Sequence, residues 1–222
     1  DYIKVSCETY IQRVLQTHGW ETPESKQSDH YDQVPMSSDT ATKLMMLKGH
    51  AEDTPEHQEL ESRVGYSYRQ ILGELIYAYV ICRLDIGYAV TLLAHFAQAP
   101  ALEHYQALKN VVRYLHRTME WGLVYWREQP LMSLPQVDLD SPTVDEALPA
   151  FPDTEPLRLV GYVDAAHAVD LETCRSITGI VFCLAGGAIA YKSKMQPTVS
   201  TSSTESEFLA AVHAAKMAKC IP

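Results

Sequence analysis

Apolar residues recur at helical spacing in the first half of the chain. The pattern predicts helices over residues 6–17, 68–83, 85–98 and 101–118. The second of these segments is apolar on nearly every side, which is typical of a helix buried by several neighbours. Pro100 stands where a proline opens a helix at its first position. We therefore expect a helical unit over this part of the chain.

The last third has a different pattern. Apolar and polar positions alternate over residues 157–163, and residues 175–185 are rich in β-branched and aromatic side chains. Gly186-Gly187 fits a tight hairpin, after which residues 188–194 form a returning strand. Residues 203–219 then have helical spacing. The prediction is an antiparallel unit of about three strands followed by a helix, so the fold class is α+β.

Two polar, proline-containing segments separate these units. We divide the chain into a first helix (1–20), a polar connector (21–65), a helical region (66–127), an acidic linker (128–156) and the strand-rich unit (157–222). A short helix is expected near residues 40–47, and a hinge in the linker. Residues 21–64 contribute a charge of −6 and residues 128–158 another −6, against a total of −10. Because the acidity lies in the connectors, the net charge does not exclude nucleic acid as a partner.

Cysteine usage and hydropathy limit the compartment. The five cysteines are scattered, with no Cys-x-x-Cys pair, and are expected to be reduced thiols. The longest apolar run, residues 75–82, is far shorter than the ~18 residues of a membrane span. The first residues also lack the order of charged and apolar residues found in a signal peptide. We expect no membrane partner.

A set of motifs follows in fixed order. The helical region contains Tyr68-Arg-Gln-Ile-Leu-Gly-Glu and Arg83-Leu-Asp-Ile-Gly-Tyr. The last third contains Gly161-Tyr-Val-Asp-Ala-Ala-His, Arg175-Ser-Ile-Thr-Gly and Ser200-Thr-Ser-Ser-Thr-Glu-Ser-Glu-Phe. Together they resemble the Pol polyproteins of copia-type LTR retrotransposons, from the thumb and connection of reverse transcriptase to the start of the ribonuclease H domain. The resemblance covers residues 6–219, and a run of motifs in order is more specific than any one alone.

The resemblance implies RNA-directed DNA synthesis and cleavage of RNA–DNA hybrids as the ancestral role. A polymerase site is not expected in this chain, since Tyr162-Val-Asp-Ala lacks the second aspartate of Tyr-x-Asp-Asp. The true pair is expected upstream of Asp1. The family also has Trp where this chain has His167, and Arg where it has Cys174. Lone histidines are most often packing or surface residues, and we interpret His167 in that way.

Asp164 and Glu207 are the carboxylates that match the family's metal site, which holds Mg²⁺ or Mn²⁺. From the residues alone, Asp164 could also be a loop residue that caps a turn. We expect it instead at the end of a central first strand. Glu205 and Glu207 each fit a capping box, three residues after Ser202 and Thr204, so at least one of them could serve only the helix terminus. Glu207 also leads a line of small residues that would let the helix approach the sheet, namely Ala211, Ala214 and Ala218, so Glu205 is the expected cap. Asp170 is interpreted as a turn residue.

Two groups of cations are candidates for nucleic-acid contact. Lys109, Arg113 and Arg117 recur every four residues on the third helix of the helical region, which places them on one face. Lys192 and Lys194 lie two apart on a strand and therefore share a face, with Arg175 on the neighbouring strand. From the residues alone, such a charged face is more often solvated than in contact with phosphate. If a hybrid lies over the sheet, these side chains could contact its phosphates.

The family's site needs a third and a fourth carboxylate, which would lie beyond the last residue. We therefore expect no significant hybrid cleavage by the chain itself, and whether it is an enzyme stays open. The alternative is a non-catalytic nucleic-acid-binding connector or an inactive relic of a retroelement. The resemblance further implies the rest of the Pol polyprotein as a partner. It also implies an intracellular location, in cytoplasmic virus-like particles or the nucleus.

Overall fold

The computed structural model describes residues 1–21, 34–52, 54–127, 159–170 and 173–221. Within these ranges the fold is mixed, with helices and two small antiparallel sheets. The strands are β1 (Tyr2–Ser6), β2 (Gly122–Trp126), β3 (Val160–Ala166), β4 (Arg175–Leu184) and β5 (Gly187–Val199). The α-helices are α1 (Glu8–Thr17), α2 (Ser38–Met45), α3 (Pro55–Val64), α4 (Tyr68–Ile81), α5 (Gly87–Ala94), α6 (Leu102–Arg117) and α7 (Ser203–Ala218).

The helical core confirms the helices that were predicted from apolar spacing. Ile71 and Leu75 of α4, Leu92 of α5, and Leu108 and Val111 of α6 are at most 1% exposed and belong to one continuous cluster. The predicted helix over 85–98 is shorter, because a 3₁₀ turn (Leu84–Ile86) precedes α5. The structure also corrects the role of one proline. Pro100 precedes the N-cap of α6, which is Ala101, and so does not occupy the first helical position.

Helix α3 was not predicted, because its residues were assigned to a polar connector. Thr54 caps it by accepting a hydrogen bond from the amide of His57, Pro55 occupies the first turn, and Gly65 ends it at a φ of 83°. A proline near the start and a left-handed glycine at the end are the local signals of a helix. The connector thus contains two helices, α2 and α3, while residues 22–33 of it lie outside the described part.

Strand β1 was also missed. It pairs antiparallel with β2, in a register that sets Tyr2 opposite Trp126 and Ser6 opposite Gly122. All of its residues are exposed, so the strand has no buried face that would mark it in the sequence. Its partner lies more than a hundred residues away, and such pairing cannot be recognised locally.

The C-terminal unit has the predicted order of strands and helix. Strands β3, β4 and β5 form an antiparallel sheet in that order, and α7 packs on one face against Ile180 and Phe182. The hairpin turn is formed by Ala185 and Gly186, both at positive φ, and Gly187 already belongs to β5. The expected central position of the first strand is wrong for the described residues, in which β3 is an edge strand.

Polar contacts join the sheet to the helical unit. Tyr191 of β5 donates hydrogen bonds from its hydroxyl to the carbonyl oxygens of Tyr79 (2.6 Å) and Val80 (2.8 Å) at the end of α4. The Ser193 amide donates to the Tyr79 hydroxyl at 2.9 Å. The Tyr125 hydroxyl of β2 donates to the Ala188 carbonyl at 2.7 Å. The expected hinge falls on the acidic linker, residues 128–156, which lies outside the described part. No helix among the described residues is long and apolar enough to cross a membrane.

Candidate nucleic-acid and metal site

Asp164 lies within a strand, which excludes the alternative of a turn-capping loop residue. It is the fifth residue of β3 and pairs with Gly179 of β4. Side chains opposite one another in an antiparallel sheet share a face, and neighbours along a strand point to opposite faces. Since α7 packs against Ile180, the residue after Gly179, Asp164 projects from the other face of the sheet.

That other face borders a groove of about 760 Å³ between the sheet and the helical unit. The sheet contributes Tyr162, Asp164 and Tyr191, and the helical unit contributes Tyr79, Asp85 and Tyr88. Asp85 is already neutralised by the buried Arg83, whose Nε and Nη2 donate to its two carboxylate oxygens at 3.0 and 2.7 Å. Among the described residues, Asp164 has no such partner. It is therefore the carboxylate of this groove that is available to an added cation.

The start of α7 separates the two glutamates as the capping box predicted. Ser202 accepts the amide hydrogen of Glu205 at 3.1 Å, and Glu205 accepts hydrogen bonds from the amide and hydroxyl of Thr201 at 2.7 and 2.8 Å. The bond from the Thr201 amide, followed by that from its hydroxyl, lowers the pKa of Glu205. Glu205 therefore serves the helix terminus.

Glu207 is exposed, and the line of small residues expected to follow it is confirmed in part, since Ala214 is buried and Ala218 packs against the sheet, whereas Ala211 is exposed. Ser206 and Ala210, one position earlier, are the other buried residues of α7. Small residues surround this helix on several sides, so their spacing did not define the packed face. Glu207 is left one position beyond the buried line, with its carboxylate in solvent.

The end of β3 and the start of α7 lie at the same end of the sheet. His167, just after β3, lies with its Nδ1 at 3.3 Å from the Ser200 hydroxyl, which is 3.0 Å from that of Ser176. The Gln196 side chain donates to the Ser206 carbonyl at 2.9 Å. His167 is an exposed residue with a packing contact, as interpreted from the sequence. Asp164 and Glu207 thus share an end of the sheet but not a face, and no cluster of three or more His, Cys, Asp or Glu among the described residues could hold a metal.

The cations of α6 do not form a uniform outer stripe. The Lys109 ammonium lies 5.3 Å from the centre of the Trp20 ring, and its pKa is lowered by burial and, to a smaller extent, by Arg113. Arg113 is half-buried and donates to the Asn110 side chain at 3.1 Å. Arg117 is exposed. Lys109 therefore contributes to packing, and the contact of this face with nucleic acid stays a prediction.

The cations of the sheet are more accessible. Lys192 and Lys194 are exposed and share a face, since they pair with Ile180 and Thr178 of β4. That face is the one on which α7 packs. Arg175, the first residue of β4, is also exposed. These three side chains are available for phosphate, whereas the role itself stays a prediction.

Several polar contacts near the site were missed from the sequence. Asp170, interpreted as a turn residue, does accept a hydrogen bond from the Thr173 amide at 3.4 Å. It is also 4% exposed and lies 3.3 Å from the His95 ring of the helical unit. Tyr191 and Tyr79 join the two units. Nothing in local spacing identifies such pairs, because each joins residues that are distant in the chain.

Curated proteins with similar sequences include two Pol polyproteins from transposons and a secreted effector protein. The retrovirus-related Pol polyprotein from transposon TNT 1-94 of Nicotiana tabacum is 30% identical over 212 residues, which are 96% of the chain and 13% of that protein. The Pol polyprotein from transposon RE1 of Arabidopsis thaliana is 33% identical over 141 residues, 64% of the chain and 8% of that protein. The secreted RxLR effector protein 161 of Plasmopara viticola is 36% identical over 143 residues, 64% of the chain and 82% of that protein.

The chain thus spans only a small part of the length of the two Pol polyproteins. No protein-family model matches the chain, and no solved structure matches it either. The similarity to the tobacco polyprotein nevertheless extends over almost the whole chain, and it agrees with the ordered motifs of both units. This chain belongs to the family of the retrovirus-related Pol polyproteins of copia-type transposons.

Proposed function

We propose that the chain is the part of a Pol polyprotein that joins the reverse transcriptase thumb and connection to the start of ribonuclease H. The observation that carries this proposal is the C-terminal unit. Three antiparallel strands are followed by a helix, with Asp164 on the first strand and Glu207 in the first turns of the helix. Those are the positions that the family's motif gives to its metal-binding carboxylates.

The donor atoms fit the expected metal. Mg²⁺ and Mn²⁺ prefer carboxylate oxygens, and Asp164 and Glu207 are both exposed side chains of that type. A bound ion would supply Lewis-acid activation of water for phosphodiester hydrolysis. Two carboxylates on different faces are fewer ligands than a two-metal site requires, so the chain alone should bind an ion weakly and cleave hybrid negligibly.

Phosphate contact is proposed for the exposed cations. Lys192 and Lys194 on one face of β5, Arg175 at the start of β4, and Arg117 at the end of α6 can each reach solvent. Lys109 and Arg113 are half-buried and should contribute less. In this proposal the chain holds a nucleic-acid duplex mainly by charge, and the partners are an RNA–DNA hybrid and the rest of the polyprotein.

A second candidate is a nucleic-acid-binding connector without catalysis. It is supported by the separation of the two candidate carboxylates, since Asp164 faces the groove on the side of the sheet away from α7, which carries Glu207. The effector-named relative supports it as well, because the aligned residues make up 82% of that protein. A segment of this kind can thus form most of a short protein.

Cleavage and binding of a labelled RNA–DNA hybrid separate these candidates. The purified chain is compared with Asp164→Asn, and with Glu103→Gln as a control at an exposed acid on α6, with and without Mg²⁺ or Mn²⁺. We expect binding that weakens with salt, no cleavage, and Mg²⁺-enhanced binding that only Asp164→Asn loses. Binding indifferent to Mg²⁺ would favour the connector, and metal-dependent cleavage lost in Asp164→Asn would show that the chain is an enzyme. An absence of hybrid binding would contradict both.

A further inference from the structure

The two outer strands of the C-terminal sheet differ in how their free edges are covered. Strands β3 and β5 are the edge strands among the described residues. On β5, the Ser193 amide donates to the Tyr79 hydroxyl at 2.9 Å, and the Ser193 carbonyl accepts from the Thr91 hydroxyl at 3.2 Å. Both hydroxyls belong to the helical unit, which thus covers this edge. In the described ranges, no such hydrogen bond reaches the outer edge of β3.

These contacts also show which main-chain groups of β3 point out of the sheet. Because both groups of Ser193 point away from β4, Ser193 and its partner Gly179 form a non-hydrogen-bonded pair. The main-chain groups of Gly179 therefore point to β3, where Gly179 lies opposite Asp164. The pattern alternates along an antiparallel pair, so the neighbours of Asp164 direct their groups outward. The outward groups of β3 are those of Gly161, Val163 and Ala165.

Strand β3 lacks the features that usually prevent one edge strand from pairing with another. Protected edge strands often carry lysine or proline, or are interrupted by a bulge. Strand β3 contains neither residue type, its single charge is Asp164, and its register with β4 is unbroken. Strand β5, in contrast, has a shifted register with β4 and contains Lys192, Lys194 and Pro197. Of the two edges, β3 is the one suited to adding a strand.

Side chains beside this edge are accessible as well. Tyr162 is 41% exposed on the face of the groove, and Val163 is 37% exposed on the face of α7. The core beneath α7 is built on Ile180 and Phe182 of β4, so the helix leaves Val163 partly uncovered. An added strand would therefore bury apolar surface on both faces of the sheet, which favours its binding.

We propose that a second copy of this chain is the partner of the β3 edge. The two β3 strands pair antiparallel around a two-fold axis at Val163, which joins two three-stranded sheets into one. Val163 then lies opposite Val163 of the second copy, and Gly161 lies opposite Ala165. Every outward main-chain group of β3 gains a partner in this register, because a two-fold antiparallel arrangement is self-complementary.

The charge of Asp164 favours this register over its neighbours. A register centred on Asp164 would place two carboxylates directly opposite each other, which is unfavourable. One centred on Tyr162 would leave Ala165 without a partner in β3. In the register centred on Val163, Asp164 lies opposite Tyr162 of the second copy, so no like charges meet. Strand β3 thus fits a copy of itself.

Sedimentation of the full chain over a concentration series tests the dimer. The parent should change from the mass of one chain to twice that mass as its concentration rises. Val163→Lys and Val163→Asp each place like charges opposite each other at the axis, so each should raise the dimer dissociation constant by about fivefold or more. An equimolar mixture of the two variants should form a heterodimer, because the facing charges are then opposite.

Ile189→Lys is the matched control. Ile189 is 39% exposed and lies on β5, so this variant adds the same charge to the same sheet and should dimerise as the parent does. A parent that stays monomeric at every concentration would overturn the proposal. So would a dimer that Val163→Lys leaves unchanged, or a mixture that associates no more tightly than either variant alone.

Hydrogen exchange of the parent, resolved by residue, does not depend on the folding of any variant. The Val163 amide points outward, so it should exchange rapidly in a dilute sample and become protected in the dimer. The Asp164 amide faces Gly179 and should be protected in both samples. Equal exchange of the Val163 amide at both concentrations would exclude pairing through β3, even if the chain dimerises by another surface.

Discussion

The hydroxyl of Tyr191 on β5 donates a hydrogen bond to the carbonyl oxygen of Tyr79 near the end of α4, at 2.6 Å. The two rings also meet edge to face, with centroids 5.5 Å apart. A helix leaves its last carbonyl groups without partners inside the helix. The sheet supplies a donor for two of them, since Tyr191 also bonds to Val80. The attachment of the sheet to the helical unit thus uses the free end of α4.

Replacement of Tyr191 by Phe should weaken this attachment. The ring contact with Tyr79 remains, but the carbonyl oxygens of Tyr79 and Val80 lose their donor, which typically costs about 1 to 2 kcal/mol. The free energy of unfolding in urea measures the loss. Tyr162→Phe is the control, because the ring of Tyr162 is 41% exposed. Equal stability of the two variants would show that the Tyr191 hydroxyl adds nothing.

Several tyrosines should make the fold sensitive to alkali. Burial is the largest cause that raises the pKa of Tyr66, Tyr114 and Tyr191 from 10.0 to about 12 each. A group with a raised pKa in the folded state stabilises the fold fully below its unfolded pKa, and this contribution is lost as the pH rises through the folded value. Stability should therefore decline between pH 10 and 12.

The measurement is the urea midpoint as a function of pH, followed together with the absorbance of phenolate. We expect the midpoint to fall over the same range in which these tyrosines ionise. Tyr66→Phe, which removes one of the titrating groups, should make the decline less steep. A urea midpoint that stays constant up to pH 12 would contradict the raised pKa values of these tyrosines.

Sequence patterns were informative where one side of an element is buried. Helices α4 and α6, which contain Ile71 and Leu108, were predicted because their apolar residues recur at helical spacing. Strand β4, which contains Ile180, was predicted from its β-branched and aromatic residues. Helix α3 is mostly polar, and only its caps at Thr54 and Gly65 marked it. Strand β1 is exposed throughout and depends on a distant partner.

The candidate site could be predicted only in part, because its geometry depends on packing. A family motif locates Asp164 and Glu207 along the chain, but the face of a strand or helix follows from packing. The side of α7 that faces the sheet could not be identified from the sequence, because Ala210 and Ala211 are both small enough to pack there. Only Ala210 is buried. Likewise, the contact of Lys109 with Trp20 joins residues far apart in sequence, so the basic face of α6 could not be divided into packed and exposed cations.

Arg83 is a second site where a single change should have a large effect. Its side chain is 1% exposed, binds Asp85 through two nitrogens, and donates to the Thr118 carbonyl at 3.0 Å. Arg83→Met keeps the volume but removes the partner of the Asp85 carboxylate. Because the Asp85 side chain is 28% exposed and water can partly replace the guanidinium, we expect a loss of about 2 kcal/mol rather than the full cost of a buried charge.

Arg69→Met provides the matched control. Arg69 pairs with Glu52 at 2.8 Å, but the two side chains are 52% and 48% exposed, so the pair should contribute at most about 0.5 kcal/mol. Thermal and urea unfolding of both variants decide the comparison. If Arg83→Met were as stable as Arg69→Met, the buried guanidinium would be dispensable for the fold.

The exposed and packed lysines should differ in how they affect nucleic-acid binding. Each exposed cation that neutralises a phosphate contributes roughly 0.9 to the slope of log affinity against log salt. The double change Lys192→Gln and Lys194→Gln should therefore lower the magnitude of the slope for an RNA–DNA hybrid by about 2, with little effect on stability. Lys109→Gln should change the slope less, because its ammonium is packed over Trp20, but it should lower the unfolding midpoint.

Fluorescence anisotropy of a labelled hybrid at several salt concentrations gives the slopes, and Lys216→Gln, at an exposed position of α7, controls for loss of net charge. Equal slopes for the double variant and the parent would exclude Lys192 and Lys194 from the phosphate contact.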